Sequence, residues 1–142
     1  MPAEFQLYFD GSCWPTSPGG TAVSGFVLCT NGTTVETFSG IIGQGLTTSL
    51  MAEYRGVVEG LRAFHARWTK VGASLLIHGD SKVVINQMSG KFAKAPQYLQ
   101  EYYVAQSYLE QIRDSGVKVK LEWIPRSQNL ADKVCKRFRA LP

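Results

Sequence analysis

The stretch from residue 5 to 12, FQLYFDGS, restricts the fold of this chain more than any other. Alternate residues of a strand share a face, so its leucine and phenylalanine side chains point one way and Asp10 points the other. The run therefore predicts a buried strand with a carboxylate near its end, where desolvation is costly unless something positive meets the charge. Gly11 is expected to let a backbone or a phosphate approach closely. The simpler alternative is a strand-ending Asp that opens a turn.

Length and composition predict one globular domain over residues 1–142, because 44% of the residues are hydrophobic and can form a sizeable core. The first residues lack the basic and apolar regions of a secretory signal, and no apolar run approaches the roughly 18 residues of a membrane span. We therefore expect a soluble, cytoplasmic protein that does not bind a membrane. Three cysteines without a CxxC spacing argue against a disulfide framework and a zinc site. The net charge of +4 permits a polyanionic partner without requiring one.

The order of strand and helix signals predicts a mixed α/β sheet. Two β-rich runs, 22–30 and 33–42, are separated by an Asn-Gly pair that is typical of a hairpin, so the first three strands are predicted to be antiparallel. From residue 50 the apolar positions recur at three- and four-residue steps, which indicates a long helix with Ser49 as its N-cap. Gly56 and Gly60 on this helix are expected at a close approach to another element.

The later segments alternate between strands and helices. In chain order we expect a buried strand over 73–79, a helix over 81–89 capped by Asp80 or Ser81 and ended by Gly90, a helix from Pro96 to Ser115, a strand over 117–124 and a helix from Asn129. The predicted fold is a five-stranded sheet, first antiparallel and then parallel, with helices on both faces. Right-handed crossovers place the strand before Asp80 beside the strand that contains Asp10.

Four carboxylates lie at predicted element ends. Asp10 and Asp80 end strands, whereas Glu53 and Asp132 fall in predicted first helical turns, where free N–H groups keep a carboxylate ionised. Each is also explained by ordinary strand-end or helix-start chemistry. Ligand sites in open α/β sheets lie outside the carboxyl ends of strands, so the four groups are predicted to converge there. An all-oxygen cluster of like charges favours Mg²⁺ or Mn²⁺, and a pair of such ions can promote phosphodiester hydrolysis.

With these motifs the sequence resembles type 1 ribonuclease H, in a form with a short loop in place of the basic protrusion. The matching segments are YFDGSCWPTSPGGTAVSGFVL, TTSLMAEYRGVVEGL, HGDSKVVINQMSGKF and VKLEWIPRSQNLADKV. The resemblance implies a ribonuclease H-like fold and endonucleolytic cleavage of RNA in RNA/DNA hybrids, leaving 3′-hydroxyl and 5′-phosphate ends. It implies that the catalytic, metal-binding residues are Asp10, Glu53, Asp80 and Asp132. They would bind two Mg²⁺ ions, with Mn²⁺ as a possible substitute. We expect a monomer without an obligate protein partner.

The resemblance also implies a set of hybrid-binding residues. Gly11, Ser12 and Cys13 match a segment that lies along the RNA strand, whose 2′-hydroxyls short polar groups can sense. The resemblance implies DNA-strand contacts by Thr48 and Phe92, and it places Ser49 and Lys82 at positions that help to grip the hybrid in relatives. The positive charges of Lys82, Lys94 and Arg126 could neutralise phosphates, and for each of them a merely solvated side chain is the alternative. For Phe92 a loop side chain that closes the core is an equal alternative.

Several positions depart from the pattern of that family. Many relatives have two Asn residues where this chain has Ser49 and Leu50, and Gln is common at the position of Lys82, so affinity for the hybrid is expected to differ. The segment 125–129 lacks a His that some relatives have. Of the two histidines, His65 is expected at the surface and His78 in the core.

Other functions remain alternatives. A non-catalytic hybrid-binding module would keep this fold, but it would be expected to lose one or more of the acidic residues, and all four are present. An ATPase of the actin-like kind would need two such domains. A proofreading exonuclease would have Glu two residues after Asp10, where this chain has Ser12.

Overall fold

The computed structural model describes residues 3–45, 47–91, 96 and 99–139. In chain order its elements are β1 (Glu4–Trp14), β2 (Thr21–Thr30), β3 (Thr33–Gln44), α1 (Ser49–Arg67), β4 (Ser74–Gly79), α2 (Lys82–Ser89), α3 (Gln100–Asp114), β5 (Lys118–Trp123), a 3₁₀ turn (Arg126–Gln128) and α4 (Leu130–Arg139). The sheet order is β3-β2-β1-β4-β5. The first three strands pair antiparallel, and β4 pairs parallel with both β1 and β5. The predicted mixed sheet is therefore confirmed, including the position of β4 beside β1.

The hairpin between β2 and β3 has the predicted turn. Asn31 and Gly32 both have positive φ angles, 52° and 75°. A two-residue turn of this kind matches the right-handed twist of the strands that it connects. The pairing of Thr30 with Thr33 follows from this turn.

Helices cover both faces of the sheet, as predicted. The face that carries Leu7 and Phe9 packs against α1 and α3 in one cluster of buried side chains that includes Phe64 and Leu109. On the other face, a Cβ at Gly25 would lie 2.7 Å from Cys135 Sγ of α4. Of the helices in the described ranges, none is both long and apolar enough to cross a membrane.

Two helix starts differ from the prediction. The N-cap of α1 is Thr48, not Ser49, because the Thr48 hydroxyl accepts a hydrogen bond from the Met51 backbone N–H at 3.2 Å. Helix α3 begins at Gln100 rather than at Pro96. The Pro96 carbonyl instead closes a turn, accepting a hydrogen bond from the Leu99 N–H at 2.9 Å.

Helix α2 follows the prediction at both ends. The Ser81 hydroxyl accepts a hydrogen bond from the Val84 N–H at 3.2 Å and caps the helix. Gly90 ends it with a φ of 72°, which is the left-handed conformation common after helices. Asp80 lies between the end of β4 at Gly79 and this cap, so the start of α2 fixes the position of Asp80.

Candidate active site

The backbones of α1 and β1 approach closely beside Asp10. A Cβ at Gly56 would lie 2.6 Å from the Asp10 carbonyl oxygen, and a Cβ at Gly11 would overlap the backbone of Ala52. Glycine on both elements therefore allows this contact, as expected for Gly11 and Gly56. Because Glu53 follows Ala52, the contact carries Glu53 toward the end of β1.

Glu53 is electrostatically coupled to two other predicted catalytic carboxylates. Burial raises the pKa of Glu53 to about 8, and the negative charges of Asp10 and Asp80 act in the same direction. A hydrogen bond from Ser81 and the positive charge of Arg126 oppose this rise of the pKa. Glu53 thus holds a proton at neutral pH while no cation is near.

This protonation differs from the prediction that a first helical turn keeps Glu53 ionised. Helix α1 begins at Ser49, and no acidic residue lies in its first turn. Glu53 therefore lies beyond the free N–H groups that favour a charged carboxylate. Asp132, by contrast, does lie in the first turn of α4, as predicted.

Strands β1 and β4 separate at the site. Their parallel pairing ends with Tyr8 and His78, and the structure gives no later pair between these strands in its described ranges. Strand β1 nevertheless continues to Trp14. Asp10 lies on β1 just past the last pair, and Asp80 directly follows β4. We call the region beyond the last β1–β4 pair the β1–β4 opening.

Asn129 lies at the start of the β1–β4 opening and is only 2% exposed. Its side-chain Nδ2 donates hydrogen bonds to the Phe9 carbonyl oxygen at 2.9 Å and to Asp80 Oδ2 at 3.1 Å. Its Oδ1 accepts a hydrogen bond from the Ala131 backbone N–H at 3.1 Å. One amide therefore joins three of the four elements that carry the predicted catalytic carboxylates. The sequence indicated Asn129 only as a helix start, because its distant partners leave no local signal.

Arg126 connects Asp132 to the other acidic groups. The Arg126 Nε lies 3.5 Å from Asp132 Oδ1, and the two side chains are 64% and 14% exposed. The same guanidinium lowers the pKa of Glu53. Arg126, which was predicted to contact phosphate, thus interacts with the carboxylates of Asp132 and Glu53.

Trp123 and Lys82 form the rim beside Asp80. The Trp123 indole N–H donates a hydrogen bond to the Asp80 carbonyl oxygen at 3.1 Å. The Lys82 ammonium lies 4.6 Å from the centre of the Trp123 ring, which attracts a cation. Trp123 was missed by sequence reasoning, since alternation in β5 gave no sign that its last residue reaches Asp80.

The residues predicted to lie along the RNA strand are only partly accessible. Cys13 is buried, and its Sγ donates hydrogen bonds to the carbonyl oxygens of Thr16 at 3.1 Å and Thr47 at 3.3 Å. The side chain therefore faces inward and leaves only the backbone for a ligand. The Ser12 hydroxyl is buried and has no hydrogen-bond partner within the described ranges.

The remaining predicted substrate-binding residues lie at the start of α1 or outside the described residues. Thr48 uses its hydroxyl to cap α1. Ser49 is the first residue of α1, and its backbone N–H donates a hydrogen bond to Ser17 Oγ at 2.9 Å. Phe92 and Lys94 lie outside the described residues.

His78 is a core residue, as predicted, and His65 is half-buried on α1. The His78 ring stacks on Tyr8 with ring centres 4.6 Å apart, and burial lowers the pKa of His78 although Glu122 opposes this. His65 packs edge-on against Tyr108 with ring centres 5.7 Å apart.

The chemistry of the acidic group suits a hard divalent cation, because every donor is oxygen. Three of its members already influence one another, since Asp10 and Asp80 raise the pKa of Glu53. Among the residues that the structure describes, no three acidic, histidine or cysteine side chains are close enough to hold a metal ion as they stand. Like charges resist a tighter cluster unless a cation neutralises them.

Comparison with known proteins identifies one family and several related structures. The family model described as reverse transcriptase-like matches residues 8–138. The N-terminal RNase H domain of Rv2228c from Mycobacterium tuberculosis is 30% identical, with a TM-score of 0.81 over 96% of this chain and 94% of that chain. LC11-RNase H1, solved in complex with an RNA/DNA hybrid, is 25% identical, with a TM-score of 0.74 over 94% of both chains.

A curated relative is much longer than the matched region. The bifunctional protein Rv2228c of Mycobacterium tuberculosis is 38% identical over 87 residues, which are 60% of this chain and 22% of that protein. The match thus spans about a fifth of the length of that relative. The structural likeness, in contrast, extends over nearly the whole of the present chain.

Proposed function

Because the chain belongs to the reverse transcriptase-like family and has a ribonuclease H-like fold, we propose that it is an endonuclease that cleaves the RNA strand of RNA/DNA hybrids. Its solved relatives include RNase H enzymes, one of them in complex with a hybrid. In this proposal the products carry 3′-hydroxyl and 5′-phosphate ends. Asp10, Glu53, Asp80 and Asp132 are the catalytic residues.

The coupling of Glu53 to Asp10 and Asp80 is the observation that supports this proposal most strongly. These residues come from α1, from β1 and from the loop after β4, yet the charges of Asp10 and Asp80 act on the buried carboxyl group of Glu53 and raise its pKa. A fold gains no stability from gathering uncompensated carboxylates, since each raises the cost of ionising the others. Groups with strongly shifted pKa values in a cleft are candidates for a functional site.

The four carboxylates are the groups that would hold Mg²⁺, two ions in this proposal, with Mn²⁺ as a substitute. Bound divalent cations at such a site supply Lewis-acid stabilisation of phosphoryl oxygens and lower the pKa of water. Asn129 orients one carboxylate of the set, Asp80, through a hydrogen bond of 3.1 Å. Arg126 and Lys82 bring positive charge to the same rim, where a polyanionic strand would lie.

The β1–β4 opening suits the RNA strand of a hybrid. Past Tyr8, strand β1 is no longer paired with β4 in the described structure, so residues 11–13 pair with β2 but not with β4. Backbone donors and acceptors can contact 2′-hydroxyl groups, which distinguish RNA from DNA. The side chain of Cys13 faces inward, so in this role any contact with the RNA would come from its backbone.

A cleavage assay tests the proposal directly. Labelled RNA/DNA hybrid, RNA/RNA duplex and single-stranded RNA are incubated with the chain, with and without Mg²⁺. We expect cleavage of the hybrid alone, dependent on Mg²⁺, with 5′-phosphate on the products. Cleavage of all three substrates, or of none, would contradict the assignment.

A matched pair of variants tests the acidic group. Asp10→Asn removes one charge with little change in volume and is expected to reduce hybrid cleavage by at least about 1000-fold, since it removes a metal ligand. Asp114→Asn makes the same change at the exposed end of α3 and is expected to retain wild-type activity. Equal activity of the two variants would rule out Asp10 as a catalytic residue.

A further inference from the structure

We propose that Asn129 is a positioning residue that fixes Asp80 for cation binding and joins it to the end of the β1–β4 pairing at Phe9. This inference rests on the proposed function and adds a residue to it. Asn129 does not act on the substrate in this proposal. It acts through Asp80 and through the backbone of Phe9, to which its Nδ2 donates hydrogen bonds of 3.1 and 2.9 Å.

The first argument is that Asn129 takes the place of a missing strand neighbour. Pairing of β1 with β4 ends at Tyr8, so the next carbonyl group, that of Phe9, needs another donor. A buried carbonyl without a partner costs about 1–3 kcal/mol, which favours a donor at this point. The Asn129 amide supplies it, and the two strands can separate here without leaving that group unpaired.

The second argument concerns charge. A neutral amide that donates to Asp80 Oδ2 restricts rotation of the carboxylate but leaves its negative charge in place. An Arg or Lys at this position would orient Asp80 equally well but would compete with a divalent cation for it. A donor that orients without neutralising is therefore suited to a metal ligand. Partners of this kind typically affect metal affinity or activity by about 10- to 100-fold.

The third argument is that the same side chain is the N-cap of α4. The Oδ1 accepts from the Ala131 N–H at 3.1 Å, so the position of α4, and with it Asp132, depends on the same group. Ser and Asp also cap helices well. Substitution by either residue keeps a capping oxygen. An ionised Asp has no donor, and the single, shorter O–H of Ser cannot replace the two hydrogen bonds that Nδ2 donates to Phe9 and Asp80, which separates the two roles.

The test compares Asn129→Ser and Asn129→Asp with Gln106→Glu as a matched control. Gln106 also donates from a side-chain amide to a backbone carbonyl, that of Met88 at 3.3 Å. This hydrogen bond joins α3 to α2, and neither helix carries a predicted catalytic residue. Hybrid cleavage gives kcat and KM. Thermal unfolding at increasing Mg²⁺ concentrations, without nucleic acid, gives the concentration at which half of the rise in Tm is reached.

We expect both Asn129 variants to reduce kcat by about 10- to 100-fold with KM within about twofold, and to need about 10- to 100-fold more Mg²⁺ for half of the Tm rise. The Gln106 variant is expected to keep the wild-type kcat and the wild-type Mg²⁺ dependence, whatever its Tm. A folded Asn129→Ser variant with wild-type kcat and Mg²⁺ dependence would overturn the proposal.

Nuclear magnetic resonance on the wild-type chain gives a second measurement, which decides the matter if neither Asn129 variant folds. We expect the Asn129 side-chain NH₂ protons to exchange slowly and to shift during titration with Mg²⁺ alone. Signals that exchange rapidly, or that do not respond to Mg²⁺, would refute the positioning role. If the wild-type chain does not cleave hybrid, the proposed function is wrong, whereas the Mg²⁺ titrations still test Asn129 independently.

Discussion

Replacement of Glu53 by Gln is expected to stabilise the metal-free protein at high pH. Below about pH 4.5 the Glu53 carboxyl group is protonated in both the folded and the unfolded chain. Between pH 4.5 and about 8 it remains protonated only when folded, so unfolding releases a proton and the free energy of unfolding falls as the pH rises. A glutamine side chain at this position does not titrate and escapes that loss.

The magnitude follows from the size of the shift. A rise from 4.5 to about 8 corresponds to a limit of about 5 kcal/mol, because one pH unit equals about 1.36 kcal/mol. Relaxation around the ionised group, with Ser81 and Arg126 as neighbours, reduces this loss. We expect Glu53→Gln to raise the free energy of unfolding by about 2–3 kcal/mol at about pH 9 and by less than about 0.5 kcal/mol at about pH 4.5.

Urea denaturation in the presence of a chelator measures this difference, with circular dichroism as the signal. Glu110→Gln, at an exposed position on α3, is the control and is expected to change the free energy of unfolding by less than about 0.5 kcal/mol at every pH. Without the chelator, addition of Mg²⁺ is expected to restore the stability of the wild-type protein at about pH 9 but to leave that of the Glu53→Gln variant unchanged. A difference between wild type and variant that does not depend on pH would refute the reasoning.

Three further predictions concern packing, capping and the rim of the site. Gly11→Ala is expected to lower the free energy of unfolding by about 3 kcal/mol, because the added Cβ would overlap the backbone of α1. Urea denaturation measures this change, and a value below about 1 kcal/mol would contradict the close contact. Thr48→Ala is expected to lower the free energy of unfolding by about 1 kcal/mol and Ser49→Ala by much less, since Thr48 is the N-cap. The reverse order in the same assay would show that Ser49 caps the helix. Lys82→Gln is expected to raise KM for the hybrid by about threefold and to reduce the salt dependence of binding without changing kcat by more than about twofold. An unchanged KM would show that Lys82, although held over Trp123, does not contact phosphate.

The order of strands was predictable because its signals are local. An Asn-Gly pair can adopt the two positive φ angles of a tight hairpin at low cost, and residues 31 and 32 do so. The apolar run before Asp80 has the length and composition of a buried parallel strand, and β4 occupies it. The preference for right-handed crossover connections then leaves few places for this strand other than beside β1.

The boundaries of two helices were not predictable to the residue. Thr47, Thr48 and Ser49 all carry a hydroxyl that can cap a helix, and only the path of the backbone decides which one does. At the start of α3, Pro96 fits a first helical turn equally well on sequence grounds, but a turn intervenes. A shift of one residue at α1 placed Glu53 outside the first turn. Its pKa is raised chiefly because the carboxyl group is buried, which the sequence pattern did not indicate.

The contacts that organise the site were the least predictable part. Asn129 is 49 residues from Asp80 and 120 residues from Phe9, so no pattern of neighbouring residues indicates those hydrogen bonds. Trp123 likewise reaches Asp80 across 43 residues. Carboxylates could be proposed from residue type and position, whereas the neutral groups that orient them depend on how the elements pack.

Docking of α4 through Asn129 also has a consequence during synthesis of the protein. The ribosome produces β1, α1 and β4 well before it produces α4, so Asp10, Glu53 and Asp80 are made while the amide that orients Asp80 has not yet been added. The proposed catalytic residue Asp132 is also absent at that stage, since it lies in the first turn of α4, so under the proposed function a nascent chain without α4 would not cleave nucleic acid. Activity would begin only after the segment around Asn129 has left the exit tunnel and α4 has packed onto the sheet.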